Sequence, residues 1–301
     1  MAEVPEVETL VRDLQQAVVG RCFTGARVLL PETVRFPSPE HLSGLLEGRR
    51  VTAARRRAKL MLLSLDDGQV LALHLMLWGN LSLRPTRGTS PPATLVVLGL
   101  EGGEELLFTD TLGYARVALA PAEELAERLK LAELGPEALS DDFTPEVLAR
   151  QLRRRKGPLK TVLLNQRVLA GLGNRDADES LWASGLHPTR AAASLSPGEL
   201  LRLHGAIRAV LEEGVSLRGT QRDLFGVRGQ AKHHRNVFGR TGEPCPRCGT
   251  RVRAVKLGGR NTHWCPACQP LSEAPAREER HGDGEVDDHP GHVHERGHEG
   301  G

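Results

Sequence analysis

Residues 245–268 read CPRCGTRVRAVKLGGRNTHWCPAC, two Cys-x-x-Cys knuckles separated by sixteen residues. Thiolates at that spacing suit a tetrahedral zinc ion, and a site closed by four cysteines is structural because no position stays open for water. The segment therefore predicts a zinc-finger β-hairpin with one structural Zn2+ on Cys245, Cys248, Cys265 and Cys268; a redox role for the Cys-x-x-Cys pairs is the alternative. Gly258-Gly259 allows a tight turn, and Arg251, Arg253, Lys256 and Arg260 suit the hairpin to phosphate. Cys22 stands alone and reads as a small buried hydrophobe. Five cysteines, four of them committed to a metal, point to a reducing compartment.

Upstream, the pattern changes twice. Pro5 to Gly20 predicts a helix: proline suits the first turn, Glu6 and Glu8 suit its positive end, and Val7, Leu10, Val11, Leu14 and Val18 form one apolar stripe. Strands follow at Ala26–Leu30, Lys59–Leu65, Val70–Leu77, Thr94–Leu98, Glu105–Thr109 and Arg116–Leu119, a spacing that predicts a β-sandwich or barrel. After Pro121 the chain reads as helices at Ala122–Leu131, Thr144–Arg155, Leu159–Gln166, Ala177–Ser184 and Ser196–Glu213. Thr144-Pro145-Glu146 and Ser196-Pro197-Gly198-Glu199 each supply an N-cap, a first-turn proline and an early glutamate. The expected fold class is α+β, with a sandwich over residues 1–120, a helical region over 121–228, a zinc finger over 229–269 and a tail over 270–301. The tail is rich in Gly, His and acid and is expected to be disordered; its His281, His289, His292, His294 and His298 suit metal scavenging less well than solubility.

Charge narrows the function classes. Of 301 residues, 39% are hydrophobic, 26% charged and 3% aromatic, so aliphatic side chains must fill the core. No apolar run is long enough for a membrane-spanning helix, and the acidic start is unlike a secretory signal, so a cytoplasmic protein without membrane contact is expected. The formal charge of +2 hides a net −6 after residue 272, which leaves +8 on the rest. Two basic clusters, Arg49 to Lys59 and Arg150 to Lys160, suit a polyanion such as nucleic acid. Gly171-Leu172-Gly173-Asn174 precedes a helix and exposes backbone N–H groups to an anion; with Lys156 and Lys160 beside it, it suits a DNA backbone.

Taken in chain order, residues 1–10 (MAEVPEVETL), 56–63 (RRAKLMLL), His74-Leu75, 134–143 (LGPEALSDDF), 164–179 and 237–269 resemble the formamidopyrimidine-DNA glycosylase (Fpg/Nei) family of base-excision repair enzymes. The resemblance spans roughly residues 1–269. It implies the sandwich, a helix–two-turn–helix domain and the zinc hairpin. It also implies a monomer acting on damaged double-stranded DNA, as a glycosylase with apurinic/apyrimidinic (AP) lyase activity. The nucleophile would be the α-amine of Ala2, freed by loss of Met1; its ordinary pKa of roughly 8 leaves a neutral fraction near pH 7. Glu3 would be the general acid/base, Lys59 and Arg260 would grip phosphate and assist the eliminations, and Glu6 would steady the site. His74, Leu77, Tyr114, Lys156, Lys160 and Asn174 would contact DNA.

The sequence departs from the family pattern at four places. Ala2 stands where proline is usual, so the Schiff base would be a neutral imine in need of a proton rather than a permanent iminium. The void-filling methionine falls at Leu77. The Arg-Arg-Phe-Gly loop becomes Leu112-Gly113-Tyr114-Ala115 and lacks the arginine for the orphan base. The usual Gly-Asn-Ile-Tyr becomes Gly173-Asn174-Arg175-Asp176, which would set an aspartate beside a phosphate unless Arg175 offsets it. Two alternatives stay open on these residues, an AP lyase with little base release and a non-catalytic damage binder.

Overall fold

The first helix, α1 (Val4–Ala17), carries the apolar stripe that the spacing predicts, with Val7, Leu10, Val11 and Leu14 buried. The computed structural model describes residues 2–86 and 88–271, and Met1–Leu271 form one compact unit. The expectation for the His-rich tail falls outside the described residues.

Two sheets follow α1. One has four antiparallel strands in the order β1 (Phe23–Val28), β7 (Thr94–Leu100), β8 (Glu104–Thr109), β6 (Asn80–Pro85). The other has five in the order β2 (Val34–Phe36), β9 (Arg116–Pro121), β5 (Gln69–His74), β4 (Leu60–Leu65), β3 (Val51–Arg57), with a short helix α2 (Pro39–Leu46) between β2 and β3 in sequence. The inner faces share one core: Leu63, Leu71 and Leu73 from the second sheet, Val96, Leu98, Leu106 and Phe108 from the first, and Leu10 and Leu14 from α1. Alternation along β4, with Met61, Leu63 and Leu65 buried, places its even positions outward.

Several elements differ from the sequence expectation. The predicted strand at Val70–Leu77 ends at His74, so Met76 to Trp78 form a turn with large apolar side chains exposed. β2, α2, β3 and β6 were not anticipated, β3 because its run of arginines lacks an apolar alternation. Lys59 is not in a strand; it sits in the two-residue turn between β3 and β4.

The helical region holds α3 (Ala122–Arg128), whose Leu125 packs against Ala72, Ala118 and Ala120 of the five-stranded sheet, and then α4 (Pro145–Leu152), α5 (Leu159–Leu163), α6 (Asn174–Ser184) and α7 (Pro197–Ser216) around a second core that includes Phe143, Leu148, Leu163, Leu181, Leu203 and Ile207. The predicted caps form: Thr144 Oγ1 accepts from Val147 N–H, and Ser196 and Glu199 make a reciprocal capping box. The hairpin of β10 (Arg253–Leu257) and β11 (Arg260–Trp264) completes the chain, turned at Gly258-Gly259. No described helix is long and apolar enough to cross a membrane.

Candidate active site

Glu3 is the N-cap of α1, yet its carboxylate serves another helix. Oε1 accepts the N–H of Arg175 and Oε2 that of Asp176, both at 3.1 Å, so Glu3 closes the N-terminus of α6. Those are orphan donors at the positive end of the helix dipole, where a carboxylate is stabilised. Gly173 makes this approach possible, because a Cβ there would stand 2.0 Å from Glu3 Cδ. Gly171 is needed for a second reason, since its φ of +86° disfavours a side chain and its Cβ would meet Val4 Cγ2 at 2.4 Å. α6 therefore begins at Asn174, earlier than the sequence pattern indicates.

Glu6, one turn further along α1, receives the Arg175 guanidinium at 2.7 and 3.1 Å, the Thr220 N–H and hydroxyl, and the Glu3 N–H at 2.9 Å. Burial pushes its pKa up, but Arg175 and these donors outweigh that and bring it to about 2. Arg175 Nε also donates to Asp176 Oδ1 at 2.8 Å. Arg175 and Asp176 are thus enclosed beneath Glu3 and Glu6, at 7% and 2% exposure. This corrects the expectation of an aspartate facing phosphate: the pair lies inside the site. No signal in the sequence separates the two arrangements.

Ala2, Lys59, His74, Leu77 and Arg260 line one cleft of about 520 Å³ between the five-stranded sheet and the helical region, with Glu3 buried under the lining. Arg35, Arg116 and Gln166 also line it and were not anticipated. Burial lowers the pKa of Lys59, partly opposed by Glu3 and Asp176 and reinforced by Arg260 and Arg175. Burial, with Lys59 and Arg35 nearby, takes the pKa of His74 to about 4, so its ring is neutral near pH 7. For Glu3 itself, burial acts upward, but Arg175, Lys59 and the Asp176 hydrogen bonds hold the carboxyl below its usual range. Tyr114 is 47% exposed, and Trp78, unremarked in the sequence, is 61% exposed.

At the other side of α6 the zinc finger is fastened. The four cysteine sulfurs lie within 4.8 Å of one another, with separations of 3.4 Å (Cys248–Cys265 and Cys248–Cys268) and 3.9 Å (Cys245–Cys268). A tetrahedron with Zn–S of about 2.3 Å has edges of about 3.8 Å, so the donor set fits zinc. Trp182 of α6 donates its indole N–H to Cys245 Sγ. Glu179 accepts the N–H groups of Asn236, Val237 and Phe238, and Asp178 accepts the N–H of His263.

Lys160 lies elsewhere than the sequence suggests. It is buried, 2.7 Å from Asp178, and donates to the Asn261 carbonyl and Thr262 Oγ1, so it anchors the hairpin instead of meeting phosphate. Asn174 Nδ2 donates to the same carbonyl at 3.0 Å and remains partly exposed, while Lys156 is exposed between α4 and α5. The basic run at 49–59 is also partly consumed. Arg56 pairs with Glu8 and Glu137, and Arg57 with Glu137.

An N-terminal sandwich, a helix N-terminus closed by Glu3 and a four-cysteine hairpin facing one basic cleft define a zinc-finger DNA-lesion glycosylase. Family models agree along the chain: the formamidopyrimidine-DNA glycosylase N-terminal domain matches residues 1–117, its H2TH domain residues 134–225, and the zinc finger found in FPG and IleRS residues 242–271. A formamidopyrimidine-DNA glycosylase of Chloroflexus aggregans is 41% identical over 276 residues, 90% of this chain and 99% of the relative. The MutM (Fpg) structure from Thermus thermophilus superposes with a TM-score of 0.80 at 38% identity, covering 89% of this chain and 98% of that one. A Lactococcus lactis Fpg in complex with abasic-site DNA gives 0.84 at 28% identity, covering 89% and 100%. The chain belongs to the formamidopyrimidine-DNA glycosylase family, DNA glycosylases that remove oxidised bases in base-excision repair.

Proposed function

We propose that Ala2, Glu3, Lys59 and Arg260 carry base release and strand cleavage on damaged duplex DNA, with Glu6 holding Glu3 in place. With Met1 removed, the Ala2 amine attacks C1′, and the damaged base leaves with the glycosidic electron pair and a proton from the amine. The nitrogen lone pair then opens the sugar: the C1′–O4′ bond breaks, Glu3 protonates O4′, and a protonated imine remains. Glu3, now a carboxylate, takes the C2′ proton and the 3′ phosphate departs. Lys59 and Arg260 offset phosphate charge. Asn174, Lys156 and His74 contact the strand, and Leu77 and Tyr114 enter the gap left by the extruded base.

The observation that carries this reading is the convergence of Ala2, Lys59 and Arg260 on one cleft with Glu3 fixed beneath it. In this reading residues 1–120 form the catalytic sandwich, 121–228 the DNA-gripping helices and 229–269 the zinc finger, in a cytoplasmic, nucleoid-associated monomer with no membrane contact. DNA-bound Lactococcus lactis relatives support the DNA partner. The zinc ion, on its four cysteines, shapes the hairpin that presents Arg260 and takes no part in a bond-making step.

Borohydride trapping on duplexes containing 8-oxoguanine, formamidopyrimidine or an abasic site tests it. The mature protein is expected to crosslink to all three, and Glu3→Gln to lose about a hundredfold or more in base release with abasic-duplex affinity within about threefold. Trapping that survives retention of Met1 refutes the amine. Crosslinking confined to the abasic duplex supports the lyase-only alternative, which the missing orphan-base arginine favours.

A further inference from the structure

Three buried carboxyls, Glu3, Glu6 and Asp176, meet a single buried guanidinium, Arg175, with Lys59 next along on the cleft side. Burial makes each of these carboxylates costly unless donors serve it. The carboxyl that lacks them is the one that keeps its proton. Glu6 accepts from Arg175, Thr220 and Glu3, and Glu3 accepts two helix amides, so both are built as anions. Asp176 has only the Arg175 Nε at Oδ1; its Oδ2 is buried and accepts from no donor, while its carboxyl lies within hydrogen-bonding reach of Glu3.

We propose that Asp176 stores the proton that Glu3 uses, as a neutral carboxylic acid whose Oδ2–H donates to the Glu3 carboxylate. The inference rests on the acid/base reading of Glu3 above and answers a difficulty in it: a carboxyl seated on two helix amides beside Arg175 and Lys59 does not hold a proton at neutral pH, yet ring opening needs one. Burial, outweighing Arg175 and reinforced by Glu3 and Glu6, keeps Asp176 protonated well above the usual range. The other charged groups near it are Glu179, Glu213, His234 and Arg235, which line a small cavity that Asp176 also reaches.

Proton accounting closes within a turnover. As C1′–O4′ breaks, Glu3 gives O4′ a proton and receives the one on Asp176, leaving two carboxylates facing the iminium cation. Abstraction of the C2′ proton by Glu3 then restores the pair to one proton. Asp176 acts through Glu3 and is a positioning residue.

The test uses the full-length, zinc-loaded protein. Infrared spectra at neutral pH are expected to show the carbonyl stretch of a protonated carboxylic acid, absent from Asp176→Asn and lost from the wild type on strong alkalinisation. In single turnovers, Asp176→Asn is expected to slow base release at least about tenfold and abolish the alkaline limb of its pH profile, with cleavage of a preformed abasic site changed less than about threefold. No such band in the wild type overturns the proposal, as does an Asp176→Asn enzyme with unchanged rate and pH profile or an equal loss on both substrates. Should Asp176→Asn fail to fold, the wild-type band and its alkaline loss decide. A wild type that shows the band but releases no base would remove the reading of the site while leaving the proton on Asp176.

Discussion

Glu6 illustrates how much one residue does out of sight of substrate. Its pKa of about 2 in the folded chain lies below the ordinary 4.5, so its ionised form is stabilised by folding. That contribution is complete above pH 4.5 and is lost as pH falls toward 2, and the shift corresponds to about 3 kcal/mol. Glu6→Gln is expected to lower the unfolding free energy by about 3 kcal/mol at pH 7 and to flatten the acid limb of stability, measured by urea titration at neutral pH and near pH 3. Equal acid limbs in the two proteins would refute the assignment. Glu3 and Lys59 were legible because their spacing carries a family resemblance. Arg175 and Asp176 were not, because whether such a pair faces solvent or a buried carboxylate depends on a contact with a residue more than 170 positions away.

Elements with local signals were the readable ones. Thr144 and Ser196 announce α4 and α7, and the apolar stripe announces α1. β3 hides behind its arginines, and α6 starts early because Glu3 supplies a cap that nothing in residues 171–176 provides. Lys160 misleads for the same reason: basic residues before a glycine-rich turn suggest an anion, but here the partners are Asp178 and the hairpin. The zinc hairpin, pinned to α6 through Trp182 and to α5 through Lys160, packs little apolar surface of its own. Stripping zinc with a strong chelator is expected to weaken abasic-duplex binding about tenfold or more while far-ultraviolet dichroism changes little, with recovery on adding zinc. Unchanged affinity in metal-free protein would contradict this.

At the scale of the molecule, the basic excess predicted the partner class better than it predicted the contacts. Arg56 and Arg57 are spent on Glu8 and Glu137, whereas Arg35 and Arg116, outside either cluster, line the cleft. Enough free cations remain around that cleft for binding to release counterions. Abasic-duplex affinity is expected to drop about tenfold or more between roughly 50 and 200 mM monovalent salt. A flat salt response, read by fluorescence anisotropy, would point to a different docking face.

The seat of Glu3 on the first amides of α6 has one more implication. A sandwich expressed without the helices would keep Ala2 and Lys59 but leave the Glu3 carboxylate unmoored, so the two lobes share one site and are not separable modules. Conversely, a change at position 175 or 176 reaches the carboxylate of the third residue of the chain without altering anything around it in sequence.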